Sequence, residues 1–224
     1  MQQRHYDEQA SIWSPSNRDP VVGTFDGHNL WKDYDDFLFK NIETSEKTAL
    51  DFGCGPGRNI VKFCDKFKQI DGADISNVNL TNAQKWFKEN NIQMTPVLYK
   101  NNGVDLKDIA SDKYDVVFST ICMQHICVHE IRFSLLSEFY RVLKNGGKIS
   151  IQMGFGPGHP VTVGYFENYY DAKSTNSGCD TRVDSPLELE NDLLKIGFKN
   201  FEYDLRPTGP GDSHSKWIFF KAEK

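Results

Sequence analysis

The stretch ALDFGCGPGRN, residues 49–59, decides how this chain is read. Ala49, Leu50, Asp51 and Phe52 lead into three glycines on alternate positions, Gly53, Gly55 and Gly57, and a helical pattern follows from Asn59. A glycine turn of this kind lets bare backbone approach a ligand closely and reach positive φ, and the helix start beyond it points free N–H groups into the same space. The turn is therefore a small-molecule cradle. Its spacing differs from the G-x-G-x-x-G of dinucleotide sites, because Arg58 stands where the third glycine of that pattern would fall. Asp51, two residues ahead of the first glycine, would repel a diphosphate and attract an ammonium or sulfonium group.

Outward from that turn, strand-length apolar runs alternate with amphipathic helices, the signature of βαβ units. Strands are expected at 48–52, 69–74, 94–100, 114–118 and 148–153. Between them the spacing predicts helices over 59–67, from Ser76 with Leu80, Ala83 and Phe87 inward, and over 128–144. In the last of these, Ile131, Leu135, Phe139, Val142 and Leu143 should face the core, and Arg132, Glu138 and Arg141 should face water, with Asn145-Gly146-Gly147 as the stop. Ser185-Pro186-Leu187-Glu188 is a capping box that opens a helix running to Gly197, and two strands close the chain as an antiparallel hairpin.

Residues 1–46 are rich in Trp, Tyr, Phe and Asp and read as a helical cap; residues 47–224 read as the main domain, with a long insertion at 154–184. The net charge of −5 disfavours nucleic acid as a bulk partner, since phosphate binding needs clustered Lys and Arg. No apolar run has the length of a membrane span, the N-terminus lacks a signal-peptide core, and the cysteines number five, so a cytoplasmic chain with free thiols is expected.

In these motifs the sequence resembles the class I S-adenosylmethionine-dependent methyltransferases, over roughly its central two-thirds. Asp51, Gly53, Gly55 and Gly57 match the first motif of that family, and Asp74, closing the second strand, falls where an acid holds the ribose hydroxyls. Asp105 and Leu106 fit the place of adenine contact, and YDVVFST brings Ser119 to the end of the fourth strand. The resemblance implies an α/β fold with a doubly wound, mostly parallel seven-stranded sheet, and S-adenosylmethionine as cofactor.

It also places CMQHICVHE, residues 122–130, just after the fourth strand, in front of the donor's methyl group. Three readings compete there. Cys122, His125, Cys127 and His129 have metal-ligand chemistry, but structural zinc sites set their ligands in separated pairs, and no metal is expected. His125 is the candidate general base for a hydroxyl acceptor, since an imidazole titrates near neutrality. A structural role, as helix cap or loop tie, competes with catalysis at His125 and prevails at His129, which should face solvent; the two cysteines are simplest as small buried groups.

Two nucleic-acid classes of the family lose ground. Ser119-Thr120-Ile121-Cys122 replaces the Asn/Asp-Pro-Pro-aromatic signature of base N-methylating enzymes, and Ile121 rather than Pro precedes Cys122, unlike cytosine-C5 enzymes. The implied reaction is methylation of a small polar metabolite, at the oxygen of a sugar or a phosphorylated or carboxylated molecule. His159, Tyr165, Tyr169, Arg182 and His214 are candidates to contact it. N-methylation of a small amine or protein side chain, and cofactor binding without catalysis, remain alternatives.

Overall fold

The computed structural model describes residues 2–12, 34–156, 181, 183–208 and 214–224. The chain divides into two compact units, Met1–Gly103 and Val104–Lys224. Among the described residues, strands lie in the order β3-β2-β1, all parallel, within the first unit and in the order β4-β5-β7-β6, a mixed arrangement, within the second.

In the first unit, α1 (Gln2–Ile12) and α2 (Tyr34–Leu38) precede β1 (Thr48–Phe52), α3 (Arg58–Phe63), β2 (Gln69–Asp74), α4 (Asn77–Glu89) and β3 (Leu98–Lys100). β1 and β2 run parallel from Thr48↔Gln69 to Phe52↔Ala73, and both are buried almost throughout, as strands covered on two faces must be. Ser76 caps α4 by accepting from the Asn79 N–H at 3.1 Å, and Leu80, Ala83 and Phe87 form the buried stripe. α1 lies along α4, tied by the Asn82 amide to the Ala10 carbonyl at 3.1 Å.

Two elements here are shorter than the pattern predicts. β3 spans Leu98–Lys100 rather than 94–100, because side chains take the main-chain bonds a longer ladder would use. Asp71 Oδ1 accepts from the Val97 N–H at 3.0 Å, and the Gln69 amide donates to the Thr95 carbonyl at 2.9 Å. α3 ends at Phe63, yet Phe67 still reaches the core, edge-on to Phe39 at 5.2 Å between ring centroids.

In the second unit, β4 (Tyr114–Ser119) leads through a 3₁₀ turn (Met123–His125) to α5 (His129–Val142) and β5 (Leu143–Phe155). α6 (Pro186–Ile196), β6 (Lys199–Pro207) and β7 (Lys216–Glu223) follow, and the last two strands form the expected antiparallel pair, with β7 also antiparallel to β5. α6 has its Ser185 cap, Pro186 in the first turn and Gly197 at φ 116 after its end.

α5 departs from its predicted face and its predicted stop. Asn145-Gly146-Gly147 lies inside β5, since Leu143 is already extended. Ile131 is half-buried, while Arg132 is buried and donates to the Ile126 carbonyl. Glu138 and Arg141 do not simply face water either. Glu138 Oε2 accepts from the Leu106 N–H at 2.8 Å; Arg141 donates to the Leu106 and Ile109 carbonyls at 2.9 and 2.8 Å and pairs with Glu138 at 2.8 Å. Helical periodicity treats charged residues as solvated, whereas these clamp the 104–111 loop to the helix and satisfy its backbone. Among the described residues no helix is long and apolar enough to cross a membrane.

Candidate functional site

The first unit concentrates its unusual chemistry at the turn after β1. Gly53, Gly55 and Gly57 adopt φ 73, 51 and 84. A Cβ on Gly57 would press into the Phe87 ring and lie 3.2 Å from the Ala83 side chain, so this glycine seats the start of α3 against α4. Gly53 and Cys54 both donate to the Ala73 carbonyl, at 2.8 and 3.1 Å, which fastens the turn to the end of β2.

Asp74 stands at that end. Its Oδ2 accepts from the Gly55 N–H at 2.9 Å and its Oδ1 from the Ser76 N–H at 2.8 Å, with the Asn79 amide at 3.5 Å. Burial raises its pKa and these three donors oppose the rise. Asp7 of α1 accepts from the Ser76 hydroxyl at 2.6 Å, which brings α1 to the same corner.

Asp51 contrasts with it. The residue is 1% exposed, and neither carboxylate oxygen makes a hydrogen bond of ordinary geometry to a described residue. Burial pushes its pKa up to about 7; the Arg58 charge and the Asn59 side chain pull it down, and Asp74 adds to the rise. Asn79 Oδ1 is a second buried acceptor at this turn without a partner. Orphaned acceptors beside a glycine turn fit a ligand that brings cationic and N–H or O–H donors, as S-adenosylmethionine does.

Of the other candidates for that ligand, Leu106 is buried and its main-chain N–H and C=O are both engaged by α5, while Asp105 is half-exposed and accepts from the Lys107 N–H at 3.3 Å. Ser119 is fully buried at the end of β4.

The segment after β4 belongs to the second unit. His125 closes the 3₁₀ turn, half-buried, its N–H donating to the Cys122 carbonyl at 2.9 Å. His129 does not face solvent as expected: its Nε2 meets Asp192 of α6 at 2.6 Å. Cys127 is buried, and Cys122 is only half-buried. Among the described residues, no three His, Cys, Asp or Glu side chains are grouped to hold a metal ion. His214 is buried, with its ring over Gly154 and 5.2 Å from the Trp217 ring. His159, Tyr165, Tyr169 and Arg182 lie outside the described residues.

The sequence marks Ser76 as a helix cap but not as a partner of Asp74, and its reading assigns no role at the site to Asn79, also beside Asp74, or to Gln152, a fully buried amide in β5. A polar residue between Ile151 and Met153 in an otherwise apolar run was the available signal for the last.

A family model described as a methyltransferase domain matches residues 49–147. Among solved structures, the fold is similar to phosphoethanolamine N-methyltransferase 2 of Haemonchus contortus, in complex with phosphomonomethylethanolamine and S-adenosylhomocysteine. The TM-score is 0.63 at 21% identity, over 87% of this chain and 52% of that one, so the chain spans about half the length of that enzyme. A SAM-dependent methyltransferase from Aquifex aeolicus matches at TM-score 0.60 and 16% identity, over 94% of this chain and 98% of that one. The [4+2]-cyclase SpnF matches at TM-score 0.65 and 16% identity, over 89% of this chain and 84% of that one. Among curated proteins none matches by sequence. Residues 49–147 thus match a methyltransferase-domain model, and the chain has the α/β, Rossmann-like fold seen in solved S-adenosylmethionine-dependent methyltransferases.

Proposed function

We propose that the protein transfers a methyl group from S-adenosylmethionine to a small polar metabolite at an oxygen atom, in the cytoplasm and without nucleic acid as substrate. The observation that carries the cofactor half is Asp51: a buried carboxyl with two unsatisfied oxygens, at a glycine turn. Asp51 takes a cationic group of the cofactor, and Gly53, Gly55 and Gly57 let the backbone approach it. Asp74, kept in place by the Gly55 and Ser76 amides, accepts from the ribose hydroxyls through the lone pairs it has left. Asp105 and Leu106 line the adenine, and Ser119 stands on the donor side. When bound, the cofactor supplies a sulfonium-activated methyl group for in-line displacement.

His125 takes the proton of the acceptor hydroxyl as charge leaves that oxygen. His159, Tyr165, Tyr169, Arg182 and His214 contribute contacts to the acceptor. The chain works as one methyltransferase domain over 47–224, with 1–46 as its cap and 154–184 as a substrate-facing insertion. Methylation at nitrogen is the second reading, favoured by the likeness to the Haemonchus N-methyltransferase; it would need no histidine base.

Radiolabelled methyl transfer from S-adenosylmethionine into a metabolite extract tests the reading. The labelled product should carry a methyl ether or ester, and His125→Ala should cut turnover by about 10²–10⁴-fold while S-adenosylhomocysteine affinity stays unchanged. Full turnover in that variant would remove His125 as base, and a labelled amine would move the assignment to nitrogen.

A further inference from the structure

In the second unit, three chain segments are drawn together where β4 and β5 end. The Ile121 N–H donates to Gln152 Oε1 at 2.7 Å, the Thr181 N–H donates to the Gln124 carbonyl at 2.7 Å, and the Val183 N–H donates to the Gly154 carbonyl at 3.0 Å. The side chains of Gln124, Gln152 and Thr181 are 1, 0 and 2% exposed. Each of them keeps a buried polar atom without a hydrogen-bond partner: Gln124 Oε1, Gln152 Nε2 and the Thr181 hydroxyl. The Ile121 bond fixes which end of the Gln152 amide is oxygen, so its NH2 is a donor turned away from that contact.

A single buried polar atom left unpaired costs about 1–3 kcal/mol, and here three stand on neighbouring segments that hydrogen-bond to one another. Ile121 adds a fourth oddity, because a β-branched residue at φ 51 is strained and Gln152 holds its backbone there. Strain and unsatisfied polarity together mark a place shaped for something other than stability.

We propose that Gln124, Gln152 and Thr181 form a neutral subsite for a hydroxyl group of the methyl acceptor, which makes that acceptor a polyol or sugar-like molecule. This rests on the methyltransferase reading above. The three side chains offer one donor, one acceptor and one hydroxyl that can serve as either, and none carries charge. A hydroxyl can serve a donor such as Gln152 Nε2 as acceptor and an acceptor such as Gln124 Oε1 as donor, whereas an ammonium has no lone pair for Gln152 and a phosphate dianion no proton for Gln124. The site so assigned selects by pairing every buried polar atom, the mode of discrimination that rejects analogues lacking the group most strongly.

The test uses the full chain with and without S-adenosylhomocysteine and follows binding of glycerol, myo-inositol and methyl α-glucoside by saturation-transfer NMR. Methylamine and methylphosphonate serve as hydroxyl-free controls. At least one polyol should bind saturably, and the controls should not. Thr181→Val should weaken that polyol by about tenfold, the loss of one hydrogen bond, with a melting temperature equal to or above that of the parent, since the hydroxyl it removes has no partner in the fold. Thr181→Ser should restore binding, and Gln124→Met provides a second disruption. Binding of controls alone, absence of polyol binding in a chain that binds S-adenosylhomocysteine, or polyol binding unchanged in Thr181→Val would overturn the subsite; the last result would mean that trapped water fills it. Failure to bind S-adenosylhomocysteine would instead overturn the cofactor reading, while Thr181-dependent polyol binding would still support the subsite.

Discussion

After β1 the chain turns through positive φ at three glycines, 53, 55 and 57; after β4 it turns at positive φ on Ile121. Glycine adopts that region without a Cβ penalty, so the first turn stores no strain and can present bare backbone. Isoleucine there costs energy, and in the second turn Gln152 of a neighbouring strand accepts its N–H at 2.7 Å. The first turn is thus set by its own glycines and fastened within one βαβ unit, to Ala73 and Asp74 at the end of β2. The second is a tertiary one, assembled from β4, the 3₁₀ turn, β5 and Thr181.

The largest effect should come from putting a Cβ where the first turn has none. Gly57→Ala must hold alanine at φ 84 and push the Phe87 ring off its seat on α4. Left-handed strain of about 1–2 kcal/mol and overpacking of about 1–3 kcal/mol add to a loss near 3 kcal/mol. Urea unfolding measures it. A variant as stable as the parent would mean that α3 can shift along α4, and that the glycine spacing there serves the ligand alone.

Next in size is Asp51→Asn, which separates binding from folding. In the free protein the folded pKa of Asp51, about 7, lies above its ordinary value of 3.8. The folded state therefore holds this proton more tightly than the unfolded chain, and the stability so gained is present at acid pH and lost as pH climbs from about 4 through about 7. Asparagine cannot ionise, so the variant should melt above the parent at pH 8 and alongside it near pH 4. Its affinity for S-adenosylhomocysteine should fall about a hundredfold, the roughly 2–3 kcal/mol of a charge-assisted hydrogen bond. In the parent, protonation of Asp51 competes with a cationic ligand, so affinity should decline on acidification below about pH 7. Calorimetric titration from pH 5.5 to 8 would show it; a flat profile would mean that no cation meets this carboxyl.

The contrast between the turns also explains what the sequence discloses. The glycine turn after β1, Asp74 at the end of β2 and the Ser76 cap were legible in place, because each position depends on near neighbours along the chain or on one βαβ repeat. The antiparallel pairing of the last two strands and both ends of α6 were legible for the same reason, since caps and turns are chemistry over three or four residues. Gln124, Gln152 and Thr181 were not, because nothing within reach of any one of them states that its polar atom will be left without a partner; that follows from hydrogen bonds spanning 31 residues between Ile121 and Gln152 and 57 between Gln124 and Thr181. The charged face of α5 misled for a related reason. Periodicity assigns Arg132, Glu138 and Arg141 to water, whereas loop carbonyls and an amide with no other partner recruit them inward.

The smallest effect concerns the strain itself. Ile121→Gly relieves a left-handed β-branched residue, a gain of about 1–3 kcal/mol, against the roughly 0.5–1 kcal/mol of extra chain entropy that glycine loses on folding. The half-buried side chain also forfeits some apolar contact, so the expected net is a gain of about 1 kcal/mol in unfolding free energy. Turnover should fall in the same variant, because a relaxed turn no longer holds the Gln152 amide, and with it the 3₁₀ turn bearing His125, in one arrangement. Higher stability with lower activity would identify the strain as serving the reaction. If Ile121→Gly lowered stability while leaving activity intact, the isoleucine would be there for its packing, and the difference between the two turns would be one of composition rather than of purpose.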